Sequence, residues 1–239
     1  MQVVLLAAGL GSRLGALTER LPKALVSVAG DPLIAHAIRF AQRTSPREIV
    51  VVGGFRFDLL AAELAGRAAP VTLIENPSFR DGNLVSLFAA RPRVDEDFLL
   101  MNVDHIYRPA IAALAAAPIA GVTAFIDTDR SLGTDDMKVQ RDGAGCVGRI
   151  AKTLTSFDCG YVGMTRVPAA DLDRYWDAAA AVLTSDGRAV HVERVLARLA
   201  ESDRPPACRD ISGHGWLEVD TADERDAAER SLRAWDESS

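Results

Sequence analysis

Five short apolar runs constrain this chain more than any other feature. "QVVLLA" (2–7), "EIVVVG" (48–53), "VTLIEN" (71–76), "DFLLMNVD" (97–104) and "GVTAFID" (121–127) lack the strict alternation of a strand with one wet face. They read as strands buried on both faces, the pattern of a parallel sheet covered by helices. Helix-like stretches lie between them at 32–44, 57–67, 83–92 and 109–117. Strand and helix alternate with short connections. The expected fold is therefore an α/β three-layer sandwich around a mostly parallel, Rossmann-like mixed sheet.

The pattern changes after about residue 130. "MKVQRDGAGCVGRI" (137–150) places two strand-like pieces around Asp142-Gly143, a hairpin signal. "DCGYVGMTRV" (158–167) is a further strand, and helical patterns occupy 169–183 and 190–202. A short strand in "GHGWLEVDT" then enters a last helix, with Thr221 as cap and Glu224 completing a capping box. No repeat and no low-complexity linker interrupts the chain. One domain is expected over 1–239, with residues 131–239 built onto the edge of 1–130.

Charge and cysteine content exclude several classes. With a net charge of -6, a broad basic face for nucleic acid is not expected. Cys146, Cys159 and Cys208 are odd in number and widely spaced, which fits neither a disulfide framework nor a zinc site. The Ala-rich stretch 110–121 is too short to span a bilayer and contains Pro118. A cytoplasmic protein without a membrane partner is the expectation, and a homodimer is left open.

The loop "AAGLGSRLG" after the first strand has three readings. A dinucleotide fingerprint fits at Gly9 and Gly11, but Leu14 stands at the third glycine position and Gly15 comes one residue late. Asp31 then falls in a turn rather than at the end of a second strand. A phosphate loop of the G-x-x-x-x-G-K type needs a lysine directly after glycine, and Lys23 is twelve residues past Gly11. The third reading is a nucleotidyltransferase loop. Glycines let backbone N–H groups approach phosphates, Arg13 offers a bidentate fork, and Lys23, after Pro22, adds a point charge. The bland alternative is a plain turn with solvated Arg13 and Lys23. The joint pattern is more specific than any of its parts.

These residues resemble a known family. "LAAGLGSRLG…LPKAL…VAGDPLI" is similar to the start of the sugar-nucleotidyltransferase superfamily, whose fold is of the nucleotide-diphospho-sugar transferase type. "NPSFRDGNLVSLFAAR", "MNVDHIY", "IAKTLTSFDCGYVGM" and "GWLEVDTADE" extend the resemblance from Leu6 to Glu224. Together they look most like the CTP-dependent branch, especially inositol-1-phosphate and phosphonate cytidylyltransferases. The metal block departs from the family pattern, since "NVDHIY" has Asn102-Val103 where Gly-Asp or Ser-Asp is common.

Asp104 and Asp220 each end a short apolar strand before a helix, which by local pattern suits a cap or a ligand equally. The resemblance implies that both bind Mg²⁺, which favours one or two carboxylates plus phosphate oxygens and water. It also implies a nucleotide-binding half (1–130) and an acceptor-binding half (131–239). Nucleotide contacts are expected from Ala7, Ala8, Gly9, Gly11, Ser12, Arg13, Lys23, Glu75, Asn76, Asn83 and Ser86. Acceptor contacts are expected from Lys152, Lys138 and Asp158, for which a solvated lysine or a loop carboxylate is the bland alternative. Arg13, Lys23 and Lys152 are the expected catalytic residues. The implied reaction moves CMP from CTP to a small phosphate or phosphonate acceptor, inositol 1-phosphate or a small phosphonate, and releases pyrophosphate. A sugar 1-phosphate or phosphocholine acceptor, a non-catalytic nucleotide sensor and an NAD-linked oxidoreductase are the rivals.

Overall fold

The structure is a computed structural model and describes residues 1–66 and 71–237. The strands are β1 (Gln2–Ala7), β2 (Ser27–Val28), β3 (Asp31–Pro32), β4 (Glu48–Gly53), β5 (Val71–Glu75), β6 (Phe98–Asn102), β7 (His105–Tyr107), β8 (Thr123–Asp127), β9 (Lys138–Arg141), β10 (Val147–Ala151), β11 (Cys159–Val167), β12 (Ala207–Asp210) and β13 (Trp216–Glu218). The helices are α1 (Leu33–Arg43), α2 (Phe57–Leu64), α3 (Asn83–Ala90), α4 (Ile111–Ala116), α5 (Leu172–Asp186), α6 (Glu193–Ala200) and α7 (Ala222–Glu237). The helix expected over 57–67 ends at Leu64, and residue 67 lies outside the described residues.

Nine strands form the main sheet, in the order β10-β9-β11-β6-β1-β4-β5, with β8 and β12 joined through β11. Strands β6, β1, β4 and β5 pair in parallel, as their unbroken apolar runs require. Strand β11 runs antiparallel to β6, β8 and β9, and β10 antiparallel to β9, so the other seven share one direction. The sheet is thus mixed and mostly parallel, as expected from the sequence. The expected hairpin is the β9–β10 pair, with a register shift between Val147 and Arg149.

Alternate residues of the parallel strands feed two cores. Val4, Leu6, Val50 and Val52 face α3, α5 and α6, where Phe98 stacks on Trp176 at 5.9 Å between centroids. Val3, Leu5, Ile49 and Val51 face α1, α2 and α4. This division makes the three layers. A smaller cluster of Leu14, Val26, Val28, Leu33, Ile106, Val219 and Ala228 joins the first loop to α7.

The short strand expected in "GHGWLEVDT" is β13; its pairing with β7 has no local sequence signal, and that ribbon decides where the acidic residues sit. Its register sets Trp216 against Tyr107 and Glu218 against His105. The Val219 amide then donates to the Asp104 carbonyl at 3.0 Å. Asp104 and Asp220 are thereby brought side by side from opposite halves of the chain. Beyond them, the capping box forms as predicted. Glu224 Oε2 accepts from the Asp220 and Thr221 amides at 2.8 and 2.9 Å, and Thr221 Oγ1 accepts from the Glu224 amide at 3.2 Å. The box fixes the backbone of Asp220.

Candidate active site

The site is a two-lobed cleft at the carboxyl rim of β1 and β6, where open α/β sheets bind ligands. One lobe, of about 330 Å³, is lined by Ala8, Gly9, Gly11, Ser12, Arg13, Lys23, Asn83, Ser86, Asp104 and Asp220. Ten expected residues therefore meet in one place. Gly11 is required there twice: its φ is +69°, and a Cβ would stand 2.8 Å from the Lys23 Cβ. The tight turn brings the glycine loop onto Lys23.

Lys23 is not a solvated lysine. It is only 7% exposed, and its Nζ donates to Asp104 Oδ2 at 2.6 Å and to Asp220 Oδ1. Arg13 Nη2 donates to Asp220 Oδ2 at 2.7 Å. Burial opposes the charge on Lys23, but the two carboxylates outweigh it and leave the ammonium more basic than usual. Burial likewise pushes Asp104 up, and Lys23 and His105 override it, holding the carboxyl far below the usual range. Lys23 and Asp104 are both ionised at neutral pH.

His105 lines the cleft although no local sequence signal marks it. Its Nδ1 lies 2.7 Å from Asp104 Oδ1, a carboxylate oxygen that only accepts, so Nδ1 carries a proton. The ring stacks on Trp216 at 5.3 Å, and Glu218 lies 3.9 Å from Nε2. Burial opposes its charge, and Asp104 and Glu218 outweigh that and make the imidazole more basic. Arg130 bonds Glu218 at 3.1 Å and lies 4.8 Å over the Trp216 ring. These residues lock the orientation of Asp104. No local pattern marks them, because the β7–β13 pairing alone brings them together.

The second lobe, of about 180 Å³, shares Asn102 and His191 with the first and adds Asp135, Asp136, Met137, Lys152, Tyr161, Glu193 and Glu218. Lys152 is exposed on this lobe and makes no side-chain hydrogen bond or ion pair among the described residues.

Several expected residues are corrected. The Lys138 ammonium is buried and donates to the carbonyls of Gly133, Asp136 and Lys152, so it shapes the wall of the second lobe rather than lining it. Asp158 Oδ2 accepts from the Arg141 amide at 2.6 Å and holds the β9–β10 hairpin, outside the cleft. Asn76 is buried, donates to Ser86 Oγ at 2.9 Å, accepts from the Ser78 amide and lines neither lobe. Glu75 is exposed at the end of β5 and lines neither lobe. The Ala7 side chain packs into the core facing α1 and α4, which leaves the backbone contact expected at Ala7 uncontradicted.

Asn83 and Gly82 do more than line a wall. Asn83 Oδ1 accepts from the Val192 amide at 2.8 Å, and the Gly82 amide donates to the Arg188 carbonyl at 2.7 Å. The segment 188–192 is thus strapped across the start of α3. A Cβ at Gly82 would stand 1.7 Å from the Val190 carbonyl oxygen, a backbone atom that cannot swing aside. Gly82→Ala is expected to displace the strap and cost about 2 kcal/mol. Thermal melts check this; an unchanged melting temperature would contradict the strap's tight seat.

The chain is similar to several known proteins. A CMP-5'-(3-aminopropyl)phosphonate synthase of Streptomyces rubellomurinus is 37% identical over 148 residues, covering 60% of this chain and 23% of the relative. A bifunctional IPC transferase and DIPP synthase of Rubrobacter xylanophilus is 30% identical over 234 residues, covering 96% of this chain and 51% of the relative. The chain therefore spans about a quarter of one relative and about half of the other. The solved structure of the inositol-1-phosphate CTP transferase from T. maritima superposes with a TM-score of 0.80 at 19% identity, covering 93% of this chain and 90% of that one. Among the described residues, no helix is long and apolar enough to cross a membrane. Residues 3–132, which carry the glycine loop, Lys23 and Asp104, match the MobA-like NTP transferase domain, and the chain belongs to that family.

Proposed function

We propose that this cleft transfers CMP from CTP to a small phosphate or phosphonate acceptor and releases pyrophosphate. The observation that carries the reading is the meeting of Arg13, Lys23, Asp104 and Asp220 in one cleft below a glycine loop. The choice of CTP rests on the names of the S. rubellomurinus and T. maritima proteins.

The chemistry needs alignment and charge neutralisation more than acid–base groups. The acceptor oxygen is already anionic near neutral pH. It attacks the α-phosphorus in line, and the bond from that phosphorus to the bridging oxygen breaks. Pyrophosphate leaves with the electron pair. Backbone N–H groups of residues 9–13 face the triphosphate, and Arg13 and Lys23 neutralise it. Lys152 holds the acceptor oxyanion from the second lobe. Asn83 and Ser86 border the nucleoside lobe.

The donor set fits magnesium. Asp104 and Asp220 present hard oxygens to the cleft and already share a cation, the Lys23 ammonium. Among the described residues no third protein ligand joins them, so phosphate oxygens and water would complete the shell. Magnesium bound there supplies charge to neutralise and align the triphosphate.

A pyrophosphate-release screen of four nucleoside triphosphates against phosphates and phosphonates tests the reading. CTP is expected to exceed UTP, ATP and GTP at least about tenfold, the discrimination of one or two base contacts. A chelator is expected to stop release and added Mg²⁺ to restore it. Nucleotide binding without pyrophosphate from any acceptor would instead favour a sensor on the same fold.

A further inference from the structure

Every carboxylate oxygen of the aspartate pair is met by a donor from a basic side chain. Asp104 Oδ1 accepts from His105 Nδ1 at 2.7 Å, and its Oδ2 accepts from Lys23 Nζ at 2.6 Å. Asp220 Oδ1 accepts from the same Lys23 Nζ, and its Oδ2 accepts from Arg13 Nη2 at 2.7 Å. The Lys23 ammonium thus stands between the two side chains. Its stem is buried against the tight turn at Gly11, where an added Cβ would stand 2.8 Å from the Lys23 Cβ. Among the described residues the ammonium has no acceptor besides these two aspartates.

A divalent cation shared by both carboxylates competes with Lys23 for that place. If it comes alone, it displaces a buried ammonium that has no other anion to receive it, and like charges then face each other in a half-closed cleft. A triphosphate changes the balance. Lys23 and Arg13 line the same lobe as the glycine loop, so phosphates there offer both side chains new anionic partners. The same phosphates bring oxygen ligands of their own to the metal. The aspartate oxygens are then released as the chelate arrives.

We propose that Lys23 keeps a free divalent cation off the aspartate pair, so that the cleft takes its metal only as the chelate of a nucleoside triphosphate. The inference rests on the cytidylyl-transfer reading above for the identity of that triphosphate. Lys23 has two successive partners, first the carboxylates and then the phosphates. The order of arrival is built into the chain, and no covalent bond changes in the exchange.

Binding of Mn²⁺ in place of Mg²⁺, followed by electron paramagnetic resonance of the free ion, tests this without turnover. With Mn²⁺ alone, Lys23→Met and Lys23→Gln are each expected to bind at least about tenfold more tightly than the wild type. Circular dichroism checks folding, and K23Q, which keeps an amide donor for one carboxylate, serves if K23M folds poorly. Lys152→Met removes a charge from the same cleft but from neither aspartate, and is expected to bind as the wild type does. Adding Asp104→Asn to K23Q is expected to abolish the gain. With α,β-methylene CTP, water-proton relaxation is expected to show Mn²⁺ joining the wild-type protein, beyond the signal of the chelate in buffer.

Wild-type protein that binds Mn²⁺ alone as tightly as the Lys23 variants would overturn the inference. So would a gain matched by K152M, which is a net-charge effect, or one that survives D104N, which puts the ion elsewhere. Failure of α,β-methylene CTP to bring Mn²⁺ onto the wild type would overturn the chelate route. These titrations contain no acceptor and form no pyrophosphate, so a failure with Mn²⁺ alone leaves cytidylyl transfer standing. Failure of the pyrophosphate screen strikes cytidylyl transfer and not the role of Lys23.

Discussion

Lys23→Met is expected to lower turnover about a thousandfold and to destabilise the fold by about 3 kcal/mol at pH 7. The first effect follows from removing a cation aimed at the triphosphate. The second follows from burial. Lys23 is 7% exposed and holds two carboxylates together. Methionine keeps the length and apolar stem, but Asp104 and Asp220 would then face each other without the shared cation. This burial excludes the solvated Lys23 of the plain-turn alternative.

The pH dependence carries the sign of this pairing. Asp104 is held below its ordinary value in the folded protein, so its contribution is complete above about pH 4 and erodes as pH falls further. Lys23 is held above its ordinary value, so its share is complete below about pH 10 and is lost as pH rises through the folded value. The stability gap between wild type and K23M is therefore expected to be widest between about pH 5 and 9 and to narrow in acid. Urea unfolding at pH 7 and pH 3 measures both. An equal gap at the two pH values would show that the loss is packing and not charge.

Asp104→Asn separates chemistry from folding. The amide keeps the shape of the carboxylate and its oxygen still accepts from His105 Nδ1, but its NH2 then faces the Lys23 ammonium, which keeps only Asp220. Stability is expected to fall by about 2–3 kcal/mol, short of unfolding the chain. Turnover is expected to fall at least about a hundredfold, because a neutral oxygen is a poor magnesium ligand. The Mg²⁺ concentration for half-maximal rate is expected to rise in parallel. A variant that keeps more than about a tenth of the wild-type rate would remove Asp104 from the metal site.

The parallel core was legible because its signals are local. Strands β1 and β4 occupy the residues their apolar runs mark, Gln2–Ala7 and Glu48–Gly53. Helix α1 begins at Leu33, one residue inside the expected stretch, since Pro32 takes an extended ψ of 150°. Strands β7, β12 and β13 are three or four residues long, and their partners lie far away in sequence. No window contains that pairing. The site divides in the same way. Arg13, Lys23, Asp104 and Asp220 stand at the ends of clear strands or glycine loops. Lys138, Asp158 and Asn76 carry suitable groups, but backbone carbonyls and amides and one serine take them up. His105 acquires its setting from the β7–β13 ribbon, which exists only once the chain has folded.

The central claim is that the glycine loop, Arg13 and Lys23 hold a triphosphate chelated at Asp104 and Asp220. Diffraction from crystals grown with Mn²⁺ and α,β-methylene CTP tests it most directly. The expected map has phosphates along residues 9–13 within reach of Lys23, and an anomalous peak bound by both aspartates. A nucleotide ordered elsewhere, or phosphates in the loop with no metal at the aspartate pair, would contradict it.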